Sequence, residues 1–370
     1  MLTLTQEAEK QRADDLLRLQ VQHTTVEMGD DGIPYITTHK DLSFRTFMTP
    51  SGGDHGFEST LWRLGTALFD KLDLRVPPSM NPGALDRIEN LRRKQALGDW
   101  LRSAVSATVE DAVASAPSTN AQIFTLLTGN QVERACHLAM ETHNFKLASL
   151  ITQIGGSPEF RRDVASQLIV WRESVADAWI DDDIRKIYAL MTGDVAVVQA
   201  STSTDPFQKA SELRVDDGLD WKRTFGLQLW YGNYLEDTLL ASVDAFEART
   251  GTAMPRPWYL EGALKRKSSP WTPRNENDAL FELIKLSVDP AYGLENVLNP
   301  RAYTSSPLDY RCVWHVYMLL SRGLQIRDFS SDAASLAASA VTTNYAAQLE
   351  ALGMYEHAVF VLLHLEDPQS

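Results

Sequence analysis

Ser118-Thr119-Asn120-Ala121-Gln122-Ile123-Phe124-Thr125-Leu126-Leu127-Thr128-Gly129-Asn130 decides the fold. Pro117 stops any helix arriving before it, and Ser118, Thr119 and Asn120 carry side-chain oxygens able to cap a new one. Ile123, Phe124, Leu126 and Leu127 load that helix with apolar side chains, and Gly129 lets the chain leave it. A second stripe follows at once in Val132, Ala135, Cys136, Ala139 and Met140, then a third after Asn144 in Leu147, Leu150, Ile151 and Ile154. Connections this short cannot return the chain to the far end of the preceding helix, so neighbours lie antiparallel. The device recurs: Ile187-Tyr188-Ala189-Leu190-Met191-Thr192-Gly193-Asp194 echoes Ile123 to Asn130, again with a glycine able to take positive φ.

Outward from this block the helical period continues in both directions. Toward the N-terminus, Leu61, Leu64, Leu68 and Leu72 share one face, the linker Val76 to Pro82 intervenes, and Leu97, Trp100, Leu101, Ala104, Val105 and Thr108 line a long helix. Toward the C-terminus, Ser157-Pro158-Glu159 starts a helix with a cap, a proline at the first position and a carboxylate at the positive dipole end. Trp221, Phe225, Trp230, Tyr231 and Tyr234 predict an aromatic-rich helix whose pattern runs on through Leu235, Leu239, Val243 and Phe246, before a long loop from Thr250 to Asn277. Val313, Trp314, Tyr317 and Leu320 read as a buried helix. Two stripes split by Gly353 close the chain, the last of them one that a further helix could cover. Residues 6 to 21 predict a short polar helix, and Val26 to Phe47 is the only strand-like segment.

Composition narrows the function. With 44% hydrophobic and 23% charged residues the chain is ordinary globular material. A net charge of -14 opposes the phosphate contacts on which nucleic-acid affinity depends, so no direct nucleic-acid partner is expected. Cys136 and Cys312 are too few for a disulfide framework or a zinc site. The first residues carry no signal-peptide pattern, and no uncharged apolar run reaches the roughly 18 residues that span a bilayer, so no direct membrane insertion is expected.

Catalytic constellations are missing. Asp181-Asp182-Asp183 has the look of a diphosphate-binding magnesium motif, but the position one turn on is Lys186, so the run reads as a helix N-cap with acids at the dipole end. His137, Glu141 and His143 lack the HExxH pattern, and Cys312 with His315 sits among Trp314, Val316 and Tyr317, which favours a buried, inert thiol. The loop Ser51-Gly52-Gly53 follows no buried strand. The cluster Lys265-Arg266-Lys267 with Arg256, Arg274, Trp258 and Trp271 reads first as a solvated loop, and otherwise as a dock for an acidic partner, a membrane surface or RNA. No cofactor, metal or catalytic residue is expected, and the chain reads as a helical binding protein.

The run Ile123 to Asn130, continuing through Val132-Glu133-Arg134-Ala135-Cys136 to Phe145-Lys146-Leu147-Ala148-Ser149-Leu150-Ile151, resembles a scaffold nucleoporin family. So does Asn344-Tyr345-Ala346-Ala347-Gln348-Leu349-Glu350 with Gly353 and Ala358 to Leu365. That family belongs to the Y-shaped outer-ring complex of the nuclear pore and is released as the C-terminal product of an autoproteolytic FG-nucleoporin precursor.

The resemblance implies an all-α, folded-back irregular α-solenoid, the ancestral coatomer element, with at most minor strand content near the N-terminus. Its segments here would be an N-terminal helix and extended segment over 1–56, an ascending trunk over 57–117, a crown over 118–218 and a descending trunk over 219–370. It also implies a structural, nuclear-pore role that indirectly supports mRNA export and protein transport, with a vesicle-coat element on the same fold as the alternative. Expected partners are a neighbouring outer-ring scaffold nucleoporin at the crown and, if its blade is included, an open β-propeller shared with vesicle coats at the N-terminal region. A tail-binding nucleoporin would be lost, because the C-terminal tail is expected to lie outside this fragment. Val132, Phe145, Leu147 and Ile184 are the expected crown contacts.

Overall fold

The computed structural model describes residues 2–29, 32, 34–48, 56–77, 80–201, 210–249, 254–261, 277–327 and 332–365. Its elements in order are α1 (Leu2–Gln22), β1 (Thr24–Met28), β2 (Pro34–Thr38), α2 (Phe57–Leu68), α3 (Pro82–Ser115), α4 (Thr119–Thr128), α5 (Val132–Glu141), α6 (Phe145–Ile151), α7 (Pro158–Glu173) and α8 (Asp182–Thr192). There follow β3 (Val197–Val198), β4 (Leu213–Arg214), α9 (Trp221–Leu227), α10 (Leu239–Glu247), α11 (Trp258–Glu261), α12 (Ala279–Val288), α13 (Arg311–Tyr317), α14 (Asp332–Ala351) and α15 (Tyr355–Leu362). The fold is all-α, with two small antiparallel strand pairs, β1 with β2 and β3 with β4. Two compact units divide the chain, residues 1–73 with 255–370 and residues 74–254. The loop Ser51-Gly52-Gly53 and, within the basic cluster, Lys265, Arg266, Lys267, Trp271 and Arg274 lie outside the described residues.

In the first unit, α1 is longer and less polar on one side than its sequence suggests. Ala13, Leu16, Leu17 and Gln20 fall at helical spacing and are buried, a stripe narrow enough to be lost among flanking charges. Strand structure near the N-terminus lies in β1 and β2, with Val26 opposite Ile36. Leu42 and Phe44 belong to neither strand: Phe44–Phe47 is a single three-ten turn whose first amides donate to the Asp70 carboxylate at 3.0 and 2.9 Å. Burying Phe44 against Phe69, centroids 5.6 Å apart, requires Gly65, where any Cβ would collide with the Phe44 ring.

The centre of this unit is α13, every residue of which is buried, running into a π-helical turn over Met318–Gly323. Trp314 packs on Tyr345 of α14 with centroids 5.3 Å apart. His315 is fully buried, its Nδ1 3.5 Å from the Gln20 side-chain oxygen, and Cys312 is buried beside it. Burial pushes the Cys312 thiol far up, which makes it an inert core thiol.

Burial also drives the two core imidazoles down, His315 well below its ordinary range and His364 to about 4. Both therefore stay neutral in the folded chain, whereas the unfolded chain takes up protons near pH 6.5. Stability is fully present above that pH and falls as the pH drops toward 4, because the unfolded state then binds the extra protons. At pH 5 the loss from His364 is about 2 kcal/mol. Urea unfolding followed by circular dichroism at pH 7.5 and pH 5 should show a lower midpoint in acid, and replacing both histidines with glutamine should flatten the difference.

In the second unit, α4 to α8 pack around Ile123, Leu127, Ala135, Ile151, Ile187 and Leu190. Ser118 caps α4 through the Ala121 amide and Asn144 caps α6 through the Leu147 amide. The two echoed helix ends, however, use their glycines differently. Gly193 takes φ +84°, the left-handed cap. Gly129 stays at φ -105° and the positive φ passes to Asn130 at +54°. Gly129 is instead needed for closeness, since a Cβ there would lie 2.7 Å from Val109 Cγ2 of α3.

The expected continuous aromatic helix is interrupted. After Leu227 the chain makes a π-helical turn over Gln228–Gly232 and ends at Asn233, and Thr238 caps α10 as a separate helix. Tertiary bonds reward the break: Tyr231 donates its hydroxyl to the Leu127 carbonyl at 2.9 Å, satisfying the end of α4, and Arg223 donates to Thr128 Oγ1 at 3.1 Å. The β3–β4 pair was not foreseen in the sequence. It sets Asp216, 5% exposed, against the guanidinium groups of Arg214 and Arg249.

Candidate partner-binding surface

Protein interfaces are anchored by large apolar side chains held in the open by a rigid scaffold. On the helices around the second unit's core such residues include Met140 of α5 and Leu240 of α10, and three further places stand out. Phe145, 62% exposed, opens α6. His143 precedes it at φ +61°, Asn144 caps the helix at the Leu147 amide 3.2 Å away, and the imidazole of His143 lies 5.9 Å from the Phe145 ring. Ile169 and Val170 stand exposed on α7.

Trp179, 79% exposed, ends a three-ten turn after α7. Its setting is built rather than loose. Val175 enters the turn at φ +58°, a conformation unfavourable for a β-branched residue. Asp177, 3% exposed, accepts the Ser201 amide at 2.8 Å and anchors the turn from below. Strain at one end and a buried carboxylate hydrogen bond in the middle hold an indole in solvent.

The four residues singled out from sequence divide. Phe145 is the exposed one. Val132 and Ile184 are half-buried against the core, with Ile184 just behind the cap that Asp181 makes to the Asp183 and Ile184 amides at 3.1 and 3.3 Å. Leu147 is 3% exposed. Residues two apart on a helix point about 200° apart, so α6 cannot present both Phe145 and Leu147; with Phe145 outward, Leu147 belongs to the core. Trp179, Ile169 and Val170 escaped the sequence reading. Trp179 sits off the helical period among acids, the one signal that could have marked it as exposed.

The lysine of the Asp181–Lys186 stretch pairs with Asp183 at 3.3 Å, and Arg185, 2% exposed, bonds Asp182 at 3.1 Å and the Ser211 carbonyl at 2.9 Å. The acidic run is thus consumed by capping and ion pairs. Among the described residues no group of three or more His, Cys, Asp or Glu is arranged to hold a metal ion, and no helix is long and apolar enough to cross a membrane.

Helical hairpins packed on local cores, with apolar side chains held outward, define an all-α, largely helical, solenoid-like protein. The family model for nuclear protein 96, Nup96, matches residues 121–370. Relatives include nucleoporin nup189 of Schizosaccharomyces pombe, 24% identical over 96% of this chain and 20% of that protein. The Nup98-Nup96 protein of Drosophila melanogaster is 26% identical over 91% of this chain and 16% of its own length. NUP96 of Arabidopsis thaliana is 27% identical over 74% and 25%. The chain spans a quarter or less of the length of these relatives. It belongs to the Nup96 family and is a Nup96-type nucleoporin, a protein of the nuclear pore in the nucleus.

Proposed function

We propose that this chain is a structural, non-catalytic element of the nuclear pore's outer ring, which binds neighbouring nucleoporins through helical surfaces and so supports mRNA export and protein transport indirectly. On this reading 57–117 ascends a trunk, 118–218 forms a crown, 219–370 descends, and the crown meets another outer-ring scaffold nucleoporin. The observation that carries it is the built exposure of Phe145 and Trp179, two aromatic side chains fixed by caps and a strained turn at the edge of a well-packed core.

Two further surfaces support contacts elsewhere. Val26, Met28 and Tyr35 are exposed on the β1–β2 hairpin, whose edges suit strand pairing with an open β-propeller. Tyr355, Val359 and Leu362 face outward on α15 at i, i+4 and i+7, a stripe suited to a further helix.

Hydrogen–deuterium exchange on the full chain, with and without the neighbouring outer-ring scaffold nucleoporin, tests the crown reading. Protection on binding should concentrate in residues 132–192. Unchanged exchange there, with protection confined to other segments, would contradict it.

A further inference from the structure

One cavity of the second unit joins an apolar lining to a group of cationic side chains. A groove of about 730 Å³ opens between α3, the start of α5, the segment after α6 and the π-helical turn that follows α9. Leu91, Val132, Ile154, Trp230 and Leu235 supply apolar lining. Its size falls within the range of sites that take a small ligand or a few side chains of a peptide.

The polar groups of that groove are predominantly cationic. Lys94, 9% exposed, donates to the carbonyls of Tyr234 at 2.7 Å and Asp237 at 3.4 Å. Arg161, 6% exposed, donates one amino group to the Asn233 carbonyl at 3.0 Å and lies over the Tyr234 ring at 4.5 Å. Among the described residues neither forms an ion pair, and the buried Arg161 Nε and Trp230 Nε1 have no hydrogen-bond partner. Arg92 adds a third charge at the exposed edge, while Arg102 is paired with Asp99. Carbonyls orient these cations without neutralising them, and Asp237 offsets the charge of Lys94 only in part, so Arg161 and Arg92 leave a positive field here on a chain whose net charge is -14.

We infer that this groove is a docking site for a short linear peptide segment of another protein, one that carries apolar side chains flanked by aspartate or glutamate. The apolar side chains would cover Leu91, Ile154, Trp230 and Leu235, and the carboxylate would meet Arg92 at the exposed edge, within the field of Lys94 and Arg161. Nucleic acid fits less well, because the lining is mainly apolar and the surrounding charge is negative. The π-helical turn bearing Trp230 is a type of helix irregularity that gathers at functional sites. The groove shares Val132 with the expected crown contacts, but neither Phe145 nor Trp179 lines it, so substitutions at Arg92 and Leu235 test it apart from the crown.

The test is a selection of random 12-residue peptides displayed on phage against the full chain, followed by fluorescence polarisation with the enriched peptide made synthetically. Enrichment of acidic, leucine- or aromatic-containing peptides is expected. Arg92→Glu and Leu235→Asp, both at exposed positions that leave the fold intact, should each weaken the peptide at least tenfold. Arg161→Gln should do the same if its circular dichroism matches the parent chain, and Phe145→Ala should have no effect. No enrichment, enrichment of basic or uncharged peptides, or binding that survives the Arg92 and Leu235 changes while falling with Phe145→Ala would each overturn the proposal.

Discussion

Asp216→Ala is expected to cost the second unit about 3–5 kcal/mol, the range seen when one member of a buried ion pair is removed. Asp216 bonds Arg214 Nε at 3.1 Å and Arg249 Nη2 at 3.1 Å, and its side chain is 1% exposed. Arg249 is 10% exposed and also donates to the Val195 carbonyl. Without the carboxylate, a guanidinium whose charged form burial already disfavours loses the charge that compensates it. Removal of both charges together, as in Asp216→Leu with Arg249→Met, should be far milder than the single change. Thermal unfolding of the three chains measures this, and the single variant should melt on the order of 10 °C lower. Equal melting of Asp216→Ala and the parent would show that the cluster contributes nothing.

Trp314→Ala is the corresponding experiment for the first unit, with an expected loss of about 3–5 kcal/mol for a large aromatic deleted from a packed core. Trp314 is fully buried and meets the rings of Tyr345, His315 and His364 at 5.3, 4.9 and 5.2 Å. Its loss would open a cavity among α13, α14 and the end of α15, which have little freedom to close over it. Trp314→Phe keeps most of the volume and removes the indole N–H, which has no acceptor among the described residues, so its cost should stay near 1–2 kcal/mol. Denaturant unfolding at neutral pH ranks the two, and an alanine variant as stable as the phenylalanine one would contradict this packing account.

The block from Ser118 to Thr192 was legible because its signals are local. Caps at Ser118, Ser157 and Asp181 and apolar stripes at helical spacing act within one or two turns of the residues that carry them. Tertiary choices were not legible. Nothing near Trp230 announces that the helix breaks into a π turn, because the break is set by Tyr231 and Arg223 reaching residues about a hundred positions earlier. Gly129 looked like a left-handed cap and is instead a clearance for Val109, a neighbour that only the folded chain brings near. The surface was half legible. Periodicity says that α6 has one buried face but leaves open which of Phe145 and Leu147 lies on it, and Trp179 lies outside any helical period altogether.

On the function proposed above, this Nup96-family chain presents Phe145 and Trp179 to a neighbouring scaffold nucleoporin. Calorimetric titration of the neighbouring outer-ring scaffold nucleoporin into the parent chain and into Trp179→Ala and Phe145→Ala tests it most directly. Both residues are exposed, so the variants should fold as the parent does, while each should lose about 2 kcal/mol of binding, roughly thirtyfold in affinity. Undiminished affinity in the double variant would contradict the account.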